Sequence, residues 1–348
     1  MAPALIILLL FALGLGTTVT LSSSHWLVAW MGLEINTLAI LPLMARRHHP
    51  RAVEAATKYF LIQVTGAALL LFAACSNAWF TGEWEIKQTG HPYATTMAMM
   101  ALALKLGLAP MHGWLPEVLQ GLDLSIGLLL STWQKLAPLA LLMQITPPDS
   151  KLLIVLGITS TLLAGWAGLN QTQVRKILAY SSIAHLGWMV LVIQFSPTLA
   201  LLALLIYTLM TCSAFLIFNM SKSTTINALG ISWTKSPAIA ALAPLMLLSL
   251  GGLPPLTGFM SKWLILQELT KQGLTSLATL AALSALLSLF FYLRLSYAMA
   301  LTMSPNNISG ASPWRLTSSK HTLPTATFTA AALLLLPLTP AITALLAQ

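Results

Sequence analysis

Two stretches decide the fold: MALALKLGLAPMHGW at residues 100–114 and SLGGLPPLTGFMSKW at residues 249–263. Each sets a lysine, Lys105 or Lys262, in an apolar run interrupted by glycine and proline. The interruption is Pro110 in the first, and Gly251, Gly252, Pro254 and Pro255 in the second. Proline lacks the N–H that a helix interior needs, so each run reads as a helix broken in two. Broken helices at membrane depth are tolerated where they are buried in protein or line a wet cavity.

The rest of the chain has the composition of a bilayer protein. Of its 348 residues 57% are apolar and 7% charged, and the mean hydropathy is +0.83. So few charges cannot cover the surface of a soluble domain this long. The apolar runs are continuous, not alternating, which excludes a β-barrel. At roughly 20 residues per crossing, about eleven helices fit. They are expected at 3–21, 26–44, 57–78, 94–120, 124–144, 151–169, 176–195, 198–219, 238–269, 274–298 and 325–346. The expected fold is therefore all-α: a polytopic membrane helix bundle forming one membrane domain over residues 1–348. The segment 299–324, rich in Ser, Thr, Asn and Pro, reads as a linker to a final helix within 299–348.

With that spacing the loops separate by charge. One side receives Arg46, Arg47, Arg51, Arg175, Lys176, Lys222, Lys235, Arg294, Arg315 and Lys320; the other receives Lys87, Lys151 and Lys271. The positive-inside rule puts the N-terminus on the matrix or cytoplasmic side and the C-terminus on the far side. The net charge of +9 is thus a matter of topology, with no nucleic acid implied. The two broken helices then run in opposite directions, as an inverted repeat would have them. Trp26, Trp79, Trp84, Trp233 and Trp314 fall near expected helix ends, where an aromatic belt sits. The chain opens on an apolar run with no basic or Arg/Ser-rich leader, which reads as insertion from bacterial cytoplasm or synthesis inside an organelle. Cys75 and Cys212 lie in apolar runs and are expected as buried thiols; two cysteines make no disulfide framework, iron–sulfur site or zinc site.

A charge at the bilayer centre costs about 2.5–3.5 kcal/mol on insertion scales, so it reads by default as part of an ion path. Four positions qualify. Glu34 stands within WLVAWMGLEINTLAILPLM (26–44), with the lysines as its available partners. Lys105 precedes Pro110, whose missing N–H should leave the Leu106 carbonyl to water or a side chain. Lys135, in SIGLLLSTWQKLAPLALLM (125–143), has no acidic helix-mate except Asp123 at the mouth. That makes it the natural candidate for a group that loads and releases a proton. Lys262 follows the second break, with Glu268 nearer the membrane edge. His112 and His185 are the remaining titratable groups in these runs, either relay members or hydrogen-bonded core histidines. Two unit charges 7 Å apart at an effective dielectric of 20 interact by roughly 2.4 kcal/mol, enough for one to control another's proton. Glu54 and Lys58 form a structural i,i+4 pair at a membrane edge, and His48 and His49 sit in a basic loop. No phosphate-binding glycine loop, zinc spacing or nucleophile elbow appears, so the chain should bind no nucleotide, metal or redox centre.

LGLAPMHGWLPEVLQG (106–121), QTQVRKILAYSSIAHLGWM (171–189) and GGLPPLTGFMSKWLILQEL (251–269) together resemble the antiporter-like membrane subunits of respiratory complex I, shared with multisubunit Na+/H+ antiporters. The resemblance covers about 23–300 and implies an antiporter-like core. It matches Glu34 and Lys105 to the family's glutamate–lysine pair, Lys135 to its central lysine and Lys262 to its terminal lysine. It further implies proton translocation coupled to quinone reduction elsewhere in a complex. NADH, FMN, iron–sulfur clusters and ubiquinone would be held by other subunits. The expected setting is the mitochondrial inner membrane, with other complex I subunits and the lipid bilayer, cardiolipin included, as partners. A free-standing cation/proton antiporter is the alternative, and a scaffold whose charges only pin helices is a third.

Overall fold

A computed structural model of the protein describes residues 3–46, 49–88, 90–145, 151–230, 232, 237–300 and 322–346. Arg47, His48, Trp233, Lys235, Trp314, Arg315, Lys320 and the linker residues 301–321 lie outside the described residues. Among those described the chain is helical, with two isolated bridges, His25 with Glu85 and Gln173 with Thr225, in place of any sheet.

Eight helices are long and apolar enough to cross a membrane, and a ninth crossing is counted if a pair bent by 62° is taken as one. The eight comprise α1 (Pro3–Ser22), α2 (Trp26–Met44), α3 (Pro50–Thr81), the pair α6 (Leu124–Ser131) and α7 (Trp133–Ile145), α8 (Lys151–Gly168), α9 (Val174–Ile193), α10 (Pro197–Ser221) and α14 (Thr275–Ala300). The bent pair is α15 (Thr322–Leu334) with α16 (Thr339–Leu346). The two remaining expected crossings are each split. Residues 94–120 give α4 (Pro92–Leu106) and α5 (Trp114–Gly121), while 238–269 give α12 (Pro237–Gly251) and α13 (Thr257–Lys271). A short α11 (Ile226–Gly230) lies in a connection.

Helix α3 starts seven residues before the expected position 57, at Pro50. His49 caps it, its Nδ1 accepting from Arg51 N at 3.3 Å, and proline at the first helical position has no N–H to satisfy. The added turns carry Glu54, and Lys58 Nζ one turn on reaches Glu54 at 2.8 Å and Glu117 of α5 at 2.9 Å. The pair read from the sequence is therefore a triad that ties two helices.

The chain divides into two compact units, Met1–Leu156 and Gly157–Gln348. In the first, α2 packs between α1 and α3, and α7 rests on α1, α2 and α4. Gly16 and Gly32 set how closely α1 and α2 approach: a Cβ on either would meet the other's carbonyl oxygen at 2.9 Å. Such small-residue contacts are how apolar helices associate where lipid competes with side-chain burial. In the second unit α10 is the hub, contacting α9, α12, α13, α15 and α16, while α14 lies against α9, α11, α12 and α13.

Two expectations from apolar runs fail on the same ground. Cys75 is exposed and Cys212 only half-buried, because a bilayer helix is apolar on its outer face as well as its inner one. Trp26, expected in an interfacial belt, is buried; Trp79 at the end of α3 is exposed.

Candidate functional site

Helix α4 ends through its glycine. Gly107 takes φ +78°, a left-handed conformation available to glycine without the Cβ clash other residues suffer. Leu108 N then bonds Ala103 O at 2.9 Å and Gly107 N bonds Leu104 O at 3.1 Å, the paired bonds of a Schellman cap. Pro110 is the break expected from the sequence, yet the helix has already closed three residues earlier. Helix α12 closes the same way: Gly252 has φ +79°, with Leu253 N to Leu248 O at 3.2 Å and Gly252 N to Ser249 O at 3.0 Å. A cis peptide bond to proline follows each cap, Ala109–Pro110 and Pro254–Pro255. Gly107-Leu108-Ala109-Pro110 and Gly252-Leu253-Pro254-Pro255 are thus the same device used twice, a repeat too short for a whole-chain comparison to notice.

The first break carries Lys105 in the last turn of α4, at 5% exposure. Two side-chain donors close the helix end around it: Trp114 Nε1 to Leu104 O at 3.2 Å and Gln63 Nε2 to Lys105 O at 3.3 Å. The Lys105 ammonium is buried and makes no hydrogen bond. It lines a cavity of about 20 Å³ together with Lys135, Asn36, Tyr59, Gln63 and Gln134. That is room for about one water, and the Asn36 side-chain oxygen is another buried atom without a hydrogen bond. Lys135 is 2% exposed. Gln134 Nε2 donates to Asn36 O at 3.4 Å and holds α7 to α2 across the cavity.

Glu34 is half-buried, and Thr37 Oγ1 donates to its backbone oxygen at 2.9 Å, with its carboxylate at 3.2 Å. Its charge acts on Lys105 and on Tyr59, but the two residues expected as a pair form no ion pair within 4 Å. His112 is half-buried in the break itself and hydrogen-bonds the Pro110 carbonyl. Neither Glu34 nor His112 lines the cavity.

In the second unit Lys262 is 8% exposed, and its Nζ donates to Gly251 O at 2.7 Å, on the carbonyl end of α12. Gly252 leaves room for that reach, since a Cβ there would meet Lys262 Nζ at 3.0 Å. Glu268 turns away, bonded by Gln272 Nε2 at 3.3 Å and 3.8 Å from Lys271. His185 is buried, its ring 5.5 Å from that of Tyr207.

Several neighbours of these groups carry no charge. Asn36, Gln63 and Gln134 do carry a sequence signal, since an amide in an apolar helix also has to be satisfied at membrane depth. Tyr59, Tyr207 and Tyr292 carry no such signal, because aromatic residues are ordinary core.

Residues 23–288 match the family described as NADH:quinone oxidoreductase/Mrp antiporter, TM, and residues 289–343 match NADH dehydrogenase subunit 2 C-terminus. The chain is 67% identical over 342 residues to the NADH-ubiquinone oxidoreductase chain 2 of Tetraodon nigroviridis, covering 98% of both chains. It is 66% identical over 347 residues to that of Salmo salar, covering 99% of both. Among solved structures it is similar to a chain of respiratory complex I from Thermus thermophilus, with TM-score 0.81 and 29% identity over 96% of this chain and 79% of the other. A chain of the Mrp complex from Dietzia shares the fold at TM-score 0.82 and 18% identity, covering 97% of this chain and 76% of that one.

Proposed function

From a chain that belongs to the NADH:quinone oxidoreductase/Mrp antiporter family, and within it to the NADH-ubiquinone oxidoreductase chain 2 proteins, we infer a core membrane subunit of complex I that translocates protons. It is an enzyme subunit in that sense; NADH, FMN, iron–sulfur clusters and ubiquinone are assigned to its partners. The membrane is the mitochondrial inner membrane, with the N-terminus on the matrix side and the C-terminus on the intermembrane side. Other complex I subunits and the surrounding lipid, cardiolipin among it, are its contacts.

The observation that carries this reading is the cavity shared by Lys105 and Lys135. Two ammonium groups facing one water-sized space cannot both stay charged without mutual repulsion, so a proton on one disfavours a proton on the other. Water between them supplies the path. Glu34 adjusts the field on Lys105, and His112 serves at the break beside it. In the second unit His185 and Lys262 serve the same purpose. Gly107 and Gly252 end α4 and α12 where these groups need room, with Pro110, Gly251, Pro254 and Pro255 flanking the breaks.

Lys135→Met keeps the bulk of the side chain and removes the ammonium. The expected result is an assembled complex that still oxidises NADH while moving fewer protons for each NADH. Full proton movement by an assembled Lys135→Met complex would sink the relay role. A purified chain that exchanges cations for protons with no NADH or quinone present would point instead to the free-standing antiporter.

A further inference from the structure

Tyr292 of α14 is 1% exposed, and its hydroxyl is buried without a hydrogen bond. Buried hydroxyls are almost always bonded to protein or to ordered water. The Ser181 side chain interacts with it, but no contact between them has hydrogen-bond geometry, and the Ser181 hydroxyl donates to Leu178 O at 2.8 Å. The ring packs on the second break: a Cβ on Gly251 would lie 3.7 Å from Tyr292 Cδ2, and the Gly251 carbonyl is the one that holds Lys262 Nζ. On its other side Tyr292 interacts with Tyr207, whose hydroxyl bonds Ser182 and whose ring contacts His185. Tyr292 therefore stands between Lys262 and His185, with its hydroxyl making no hydrogen bond.

We propose that Tyr292 binds an ordered water at its hydroxyl and carries protons between Lys262 and His185, with Tyr207 as the adjoining member. The role rests on the proton-translocating reading of this chain. A phenol both donates and accepts. As a proton arrives on the Tyr292 oxygen from the water, the phenol's own proton leaves toward the Tyr207 side. One O–H bond forms and one breaks, and the residue ends neutral. Neither serine alone provides this link, because each spends its proton on its own helix, Ser181 on Leu178 O and Ser182 on Ala179 O at 2.7 Å.

The test uses the assembled complex with Tyr292→Phe, beside Lys262→Met as a control on the underlying reading. The first readout is protons moved per NADH oxidised in sealed vesicles. The second is ordered water within hydrogen-bond reach of the Tyr292 oxygen in a high-resolution structure of the unaltered complex. The expected result is a water at that oxygen and a loss of proton movement in Tyr292→Phe, with transfer through this unit slowed about a hundredfold. Wild-type proton movement in Tyr292→Phe, with a loss in Lys262→Met, overturns the proposal and leaves the underlying reading in place. Full movement in Lys262→Met as well overturns that reading too. Should Tyr292→Phe fail to assemble, the water decides: a dry hydroxyl in the unaltered complex overturns the proposal.

Discussion

Replacing Gly252 by alanine tests whether the second break is built to hold its lysine. The new Cβ would meet Lys262 Cδ at 2.9 Å and Nζ at 3.0 Å. The lysine head is the softer partner, so it gives way and loses its 2.7 Å bond to Gly251 O. An L-residue at φ +79° adds about 1–2 kcal/mol of backbone strain, and the lost ammonium–carbonyl bond adds roughly 1.5–3 kcal/mol. The adjacent Gly251→Ala is the control: its Cβ meets Leu289 and Tyr292 at 3.5–3.9 Å, ordinary contact. Both variants are carried into the complex, heated in steps, and resolved on native gels, while vesicles report proton movement per NADH. Gly252→Ala should dissociate at a lower temperature and move fewer protons, and Gly251→Ala should track the unaltered protein. Equal behaviour of the two variants would refute the account of why glycine stands at 252.

Gly258→Ala should be the harsher change, since its Cβ would lie 1.8 Å from the backbone oxygen of Ser249; loss of the assembled band is expected, and normal assembly would refute the close approach of α13 to α12. Glu117→Gln removes one of the two exposed carboxylates on Lys58, and exposed pairs contribute little. Its melting temperature in the complex should match that of the unaltered protein at both low and high salt. A clear drop at low salt would mean that this face is covered and the triad matters. The Lys135→Met and Tyr292→Phe outcomes stated above complete the set.

Much of the fold was legible because the bilayer restricts the vocabulary to long apolar helices. The break positions and the burial of Lys105, Lys135 and Lys262 could be read in the same way. The cause of the breaks could not. Pro42, Pro138 and Pro244 lie inside α2, α7 and α12 without ending them, so proline by itself does not interrupt a helix here. What ends α4 and α12 is a left-handed glycine three residues before Pro110 and Pro255, and φ is not written in a residue's polarity. The relation of Glu34 to Lys105 was illegible for another reason. Sequence spacing says nothing of how two helices rotate, and the carboxylate turns to Thr37 instead of to the lysine. Cys75 shows the same limit from the outer face.

The bond from Lys262 to Gly251 O has a consequence for how this lysine is controlled. Its partner is the negative end of a helix dipole, which no pH change removes and no proton neutralises. A carboxylate in that place would titrate along with the lysine and blunt its response. A peptide carbonyl is a fixed bias, like a permanent magnet beside a compass needle. The proton affinity of Lys262 therefore depends on where the tip of α12 stands relative to the ammonium, as well as on nearby charge and on how far water reaches it. Displacing that helix end would change how readily the lysine holds its proton.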